Sequence, residues 1–223
     1  VATSHPLAAQ AALRILQDGG NAVDAAIAGA ILLGVCEPQM TWIGGDCFVL
    51  LRPAGSADIL ALNGSGRAPA GLSAARLREE GRETVGTDGV HSVTIPGAID
   101  AFCALSERHG KLGLDRILAP AIRYFDDGVP VAPRVAFDWG PDARRLTADA
   151  RRHYLRDGAP FRVGEIFRLP GQAEVLRRIA RDGRRAFYEG EVADDMLAAL
   201  KVAGGTHRAE DFTATACDWG AAV

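Results

Sequence analysis

Cys47 follows Asp46 directly and opens an apolar run, Cys47-Phe48-Val49-Leu50-Leu51. A thiol beside a carboxylate could be part of a nucleophilic site, but thiolate attack needs a base, and none of the five histidines is tied to Cys47 by the sequence. A packed cysteine at the head of a strand is the better reading. Asn63-Gly64-Ser65-Gly66 resembles a phosphate-cradling turn, yet it lacks the third glycine of a dinucleotide loop, and no lysine follows it. The chain has no Gly-x-Ser-x-Gly elbow, which disfavours an α/β-hydrolase. His5, His91, His109, His153 and His207 show no ligand spacing and read as surface or capping residues; Cys36, Cys47, Cys103 and Cys217 form no Cys-x-x-Cys pair. Neither a metal site nor a disulfide framework is therefore expected, and no cofactor is called for. Cys36 and Cys103 sit among apolar residues and read as buried small hydrophobes. Thr213 and Thr215 are internal and have no free α-amine to activate them.

The elements around these residues follow from pattern. Ser4 is placed to cap a first helix, Pro6 suits its first turn, and Leu7, Leu13 and Leu16 fall on one face. Gly19-Gly20 ends it. Asn21 caps a second helix over residues 22–35, apolar on nearly every side and so destined for the centre of the molecule; Pro38 stops it. Gly44-Gly45 reads as a backbone turn that a Cβ would hinder. A hairpin follows, with strands at 47–51 and 58–62 joined by Pro53-Ala54-Gly55-Ser56. Then come a loop at 63–69, a short helix near 72–80, a polar loop at 81–89, and an extended piece at 90–95 ended by Pro96-Gly97. Helices are expected at 99–109 and 114–125, with one or two more within 134–155. A short strand at 165–169 and helices at 172–181 and 190–203 complete the pattern. The tail, 213–223, ends in Trp219-Gly-Ala-Ala-Val and reads as a segment whose partner is missing. No linker divides the chain. It is read as one partial domain over 1–223, with core helices and a hairpin over 1–97 and a mainly helical remainder over 98–223.

The 223 residues are 48% hydrophobic and 24% charged, as in ordinary soluble domains. A net charge of -3 and a pI near 6.0 give no electrostatic reason to expect nucleic acid. Arg144, Arg145, Arg151 and Arg152 read as a solvated helix face. The longest apolar run, residues 25–36, is too short to span a bilayer. The cysteine pattern is compatible with a reducing compartment. A removed signal peptide is also compatible with the opening Val1, so periplasmic, secreted and cytoplasmic locations all stay open.

Several stretches, in order, resemble the γ-glutamyltranspeptidase family. The longest runs from His5-Pro-Leu-Ala-Ala-Gln through Asp18-Gly-Gly-Asn-Ala-Val-Asp-Ala-Ala. Gly34-Val-Cys-Glu-Pro, Ile43-Gly-Gly-Asp-Cys-Phe, Arg67-Ala-Pro-Ala, Val93-Thr-Ile-Pro-Gly, His109-Gly-Lys-Leu, Leu118-Ala-Pro-Ala-Ile, Phe187-Tyr-Glu-Gly and Glu210-Asp-Phe follow. The resemblance implies an α+β protein, the helix-rich part of an αββα N-terminal-nucleophile hydrolase sandwich made as a self-cleaving precursor. It implies a γ-glutamyltransferase or glutathione hydrolase, with a small catalytic subunit from the same precursor as partner and glutathione or another γ-glutamyl or acyl amide as substrate. Catalytic residues are expected to be none in this chain, the nucleophilic threonine lying downstream of Val223, so the chain alone should be inactive. In glutathione-cleaving members an arginine before Ala-Pro-Ala grips the α-carboxylate of the γ-glutamyl group. Aligned on Ala68-Pro69-Ala70, that position is Ser65, and Arg67 stands two residues later. Either Arg67 reaches the same site or the acyl group differs, so Arg67 and Ser65 are the candidate substrate-binding residues. The alternatives are a glutaryl- or cephalosporin-type acylase, and a non-catalytic family member or fragment.

Overall fold

The computed structural model describes residues 1–221. In chain order its elements are α1 (Pro6–Gln17), α2 (Ala22–Cys36), β1 (Cys47–Leu51), β2 (Leu60–Gly64), α3 (Ala74–Glu79), α4 (Ala98–His109), α5 (Leu114–Asp127) and β3 (Val129–Pro130). They continue with α6 (Pro133–Asp142), α7 (Ala148–Tyr154), β4 (Ile166–Phe167), α8 (Pro170–Asp182), α9 (Arg185–Tyr188), α10 (Glu191–Val202), α11 (Ala209–Thr213) and β5 (Asp218–Ala221). The chain forms two compact units, Val1–Trp42 with Leu105–Arg181, and Ile43–Ala104 with Asp182–Val223.

In the first unit α1 lies along α2. The expected apolar face of α1 is wrong in detail: Ala8, Ala11, Ala12 and Ile15 are buried, whereas Leu13 is 50% and Leu16 36% exposed. The reason is the partner. A Cβ on Gly29 of α2 would stand 3.6 Å from Ala12 Cβ and from the Ala8 carbonyl, so the helices approach through small residues and the leucines fall outside the seam. The cap is also corrected. His5 Nδ1, not Ser4, accepts the Leu7 N–H at 3.3 Å; Ser4 Oγ donates to Glu37 at 2.6 Å.

Asn21 caps α2 as expected. Its Oδ1 accepts from Val23 N and Asp24 N, and Asp24 answers by accepting the Asn21 N–H at 2.9 Å, a complete capping box. Asp24 also accepts Lys111 N at 3.0 Å and Leu112 N at 3.3 Å, tying the helix start to the segment before α5. Eleven α2 residues from Val23 to Cys36 are buried, as an all-round apolar helix requires. Gly34 lets Trp42 and Phe125 of α5 close over it. Further along, β3 pairs antiparallel with β4, which carries Phe167 into a ring cluster with Trp139, Phe161 and Tyr154.

The second unit holds a three-stranded antiparallel sheet, order β1-β2-β5. The first strand stands where it is expected. The second begins two residues later, because the turn consumes more chain: Ser56 N bonds Pro53 O, and Asp58 N bonds Ser56 Oγ. Asn63 and Gly64 therefore belong to β2, not to the loop. The tail is corrected more substantially. Asp218–Ala221 pairs with β2, Leu62 opposite Trp219 and Asn63 opposite Asp218; the remainder of that expectation, Ala222 and Val223, lies outside the described residues. Within the piece expected to be extended, residues 90–92 form a 3-10 turn, closed by Ser92 Oγ on the Gly89 carbonyl at 2.8 Å. Cys103 is half-buried, not buried.

Period-2 alternation gives the sheet two faces. Leu62, Gly64, Val49 and Trp219 turn to the covered side. Phe48 (69% exposed), Leu50 (72%), Asn63, Asp218 and Gly220 turn to an open face, where they line a shallow concavity of about 550 Å³ with Ala61.

Candidate functional site

The polar groups of that open face gather at one end of the sheet, where β1 starts, β2 ends and β5 starts. Three loops meet there. Gly45 O accepts Gly97 N at 3.0 Å and Ala98 N at 2.9 Å, and Ile95 N donates to Arg67 O at 2.9 Å. Main chain touches main chain, so glycine is required. A Cβ on Gly97 would run into the Gly64 carbonyl, and one on Gly66 into the Ile95 carbonyl. Gly44 and Gly45 are not among the glycines with positive φ, and close main-chain approaches that exclude a Cβ occur at Gly64, Gly66 and Gly97.

This packing fixes the segment 63–70. Asn63 Oδ1 accepts Ser65 N at 2.9 Å, Asp46 Oδ1 accepts Gly66 N at 2.7 Å, and Asp211 Oδ1 accepts Ala70 N at 3.0 Å. Ser65 and Arg67, the two residues singled out in the sequence, are both exposed on it. Arg67 Nη2 donates to Asp218 Oδ2 at 2.8 Å. Their side chains are 67% and 62% exposed, so this ion pair contributes about 0–1 kcal/mol. Asp218 engages only Nη2 of Arg67, so it can orient the guanidinium while the remaining N–H donors meet an incoming carboxylate. The sequence alone does not mark Asp46, Asn63 or Asp218 as site residues: Asp46 stands out only as a neighbour of Cys47, and the other two become neighbours only through the β2–β5 pairing.

Cys47 is disfavoured as a nucleophile. Burial pushes its thiol up to about 11, so it stays protonated at neutral pH. Cys217 is pushed up to about 12 by burial first and then by Asp100. Among the described residues no group of three or more His, Cys, Asp or Glu could hold a metal ion, and no helix is long and apolar enough to cross a membrane.

The sequence profile of the gamma-glutamyltranspeptidase family matches residues 8–223. The chain belongs to this family. It is 35% identical over its whole length to the glutathione hydrolase-like YwrD proenzyme of Bacillus subtilis, and it spans 43% of that protein. It superposes on the γ-glutamyltranspeptidase of Helicobacter pylori with a TM-score of 0.93 at 26% identity, covering 98% of this chain and 64% of the other. It superposes on a cephalosporin acylase from Bacillus halodurans with a TM-score of 0.91 at 42% identity, covering 97% of this chain and 42% of that one. The α+β class and the relation to the N-terminal-nucleophile hydrolase fold are as expected. The chain accounts for less than half the length of the YwrD relative, consistent with a portion of a large subunit.

Proposed function

We propose that this chain is the large-subunit portion of a γ-glutamyltransferase or glutathione hydrolase, with its nucleophilic threonine outside these residues. The observation that carries the proposal is a family match over residues 8–223 of a chain that spans only 43% of its relative. The open sheet face agrees with it. Phe48 and Leu50 are large apolar side chains left in water, as expected if a small catalytic subunit covers them. An N-terminal threonine attacks the γ-glutamyl carbonyl while its own α-amine, or a water, takes the hydroxyl proton. The amine leaves, and the acyl group passes to water or to an acceptor amine. Arg67 holds the carboxylate of the acyl group and Ser65 supplies a weaker donor beside it.

One observation favours a second reading. The likeness to the acylase, together with Ser65 where glutathione-cleaving members carry arginine, suits a glutaryl or cephalosporin side chain. Assaying the processed full-length protein on a γ-glutamyl anilide and on a glutaryl amide separates them. Faster turnover of the anilide is expected; faster turnover of the glutaryl amide selects the acylase. Arg67→Ala should raise KM for the preferred substrate about 10–100-fold, the loss of one charge-assisted contact. An unchanged KM removes Arg67 from the site. The 223-residue chain by itself should turn over neither amide and should aggregate; a soluble, active preparation would contradict the proposal.

A further inference from the structure

Behind the candidate site lies a buried polar cluster that no step of the proposed reaction uses. Asp100, in the first turn of α4, is 5% exposed. One of its carboxylate oxygens accepts from Arg184 Nε, and the other accepts the Cys217 N–H at 2.6 Å. Arg184 also reaches the carbonyls of Thr213, at 3.3 Å, and of Thr215. Its guanidinium lies 4.7 Å over the Tyr188 ring. The Tyr188 hydroxyl in turn donates to the Pro96 carbonyl at 2.7 Å and accepts the Asp100 N–H at 3.0 Å. One carboxylate and one guanidinium therefore join the start of α4, the start of α9 and the stretch between α11 and β5.

That stretch is where position matters. Residues 215–217 carry no regular structure, and the residue after them, Asp218, holds Arg67. A shift of β5 by one residue would turn Asp218 to the covered face and bring Cys217 or Trp219 opposite Asn63. The four-residue β5 pairs with β2 alone among the described residues, so its ladder fixes register weakly. The Asp100 bond to the N–H of Cys217 pins the chain one residue before Asp218.

We propose that Asp100 and Arg184 are positioning residues that set the register of β5 and, through Asp218, aim Arg67. The proposal rests on the reading of Arg67 as the acyl-carboxylate holder. Two readouts in the full-length protein keep the two ideas separable. The first is amide hydrogen exchange over 213–221. Asp100→Asn should accelerate it about tenfold or more, because the latch and not the ladder limits opening. The second is a double-mutant cycle on KM for a γ-glutamyl anilide. Asp100→Asn should raise KM about fivefold with a smaller change in kcat, and it should add nothing in an Arg67→Ala background, since its effect travels through Arg67. Unchanged exchange over 213–221 overturns the latch. Equal KM penalties in both backgrounds reduce Asp100 to a merely structural residue and overturn the proposal as well. If Arg67→Ala alone leaves KM unchanged, the carboxylate reading fails, and the exchange data still decide whether the latch exists. Arg184→Lys keeps the charge beside Asp100 but cannot span both carbonyls. It should give the same pattern at lower amplitude, and it carries the test if Asp100→Asn fails to fold.

Discussion

Among the described residues each unit buries one aspartate, and the two are satisfied in opposite ways. Asp24, fully buried at the start of α2, accepts from backbone N–H groups: Asn21 three residues before it, Lys111 and Leu112 far along the chain. The N-terminal dipole of α2 adds to the same field. Asp100, 5% exposed, meets a guanidinium and one N–H. Backbone donors cannot move without unfolding the helix start, so Asp24 is a structural anchor. Arg184 lies on a side chain that also holds carbonyls of a segment leading to the open sheet face, so Asp100 belongs to a joint between segments. A buried carboxylate is thus not one kind of feature. Its donors decide whether it supports the fold or supports a site.

Substitutions that remove each carboxylate test this contrast. Asp24→Ala has the largest expected effect, because it leaves the N–H groups of Lys111, Leu112 and Asn21 without their acceptor in a dry place. A loss of about 3–5 kcal/mol in unfolding free energy is expected, read by denaturant melts. A loss below about 1 kcal/mol would mean that water replaces the carboxylate there, and the contrast would collapse. Asp100→Asn should cost less in stability, about 2 kcal/mol, because Arg184 is 32% exposed in its side chain and water takes up part of its charge. Tyr188→Phe comes next. It removes a hydroxyl that serves both Pro96 O and Asp100 N, and about 1–2 kcal/mol should be lost in the same melts. An effect as large as that of Asp24→Ala would place structural weight, rather than positioning, in the second cluster.

The same contrast explains what was legible in the sequence. Asn21 before an apolar run reads locally as a cap, and α2 is found where it is expected; the answering bond from Asp24 is seen in the structure. The hairpin turn at Pro53-Ala54-Gly55-Ser56 was legible for the same local reason. Arg184 and Cys217 lie 84 and 117 residues from Asp100, and nothing in that spacing announces that they meet. β5 is not legible because Asp218, Gly220 and Ala221 are types depleted in strands and Trp219 alone favours one; pairing with β2 makes them a strand. Arg67 and Ser65 were found through the family resemblance, whereas Asp218, which holds Arg67, required the sheet. On α1, where leucines usually mark the buried face, the alanine- and glycine-rich partner reversed the assignment.

The smallest expected effect lies at the other end of the first unit and depends on pH. His5 caps α1 by accepting the Leu7 N–H on Nδ1, which only an unprotonated Nδ1 can do. Burial pushes the imidazole below its ordinary 6.5, with Glu37 pulling the other way. The folded state therefore favours neutral His5 more than the unfolded chain does. The stabilisation is fully present above 6.5 and is lost as pH falls through the lower folded value. Up to about 1 kcal/mol, the usual contribution of a cap, should vanish as pH falls from about 7 through the lowered folded value. His5→Asn keeps a capping acceptor and removes the titration, so its melting temperature should fall less steeply over that interval than that of the unsubstituted protein. Parallel slopes for the two proteins would show that the cap survives protonation of His5, and that this helix start is held by Pro6 and the Ser4–Glu37 contact instead.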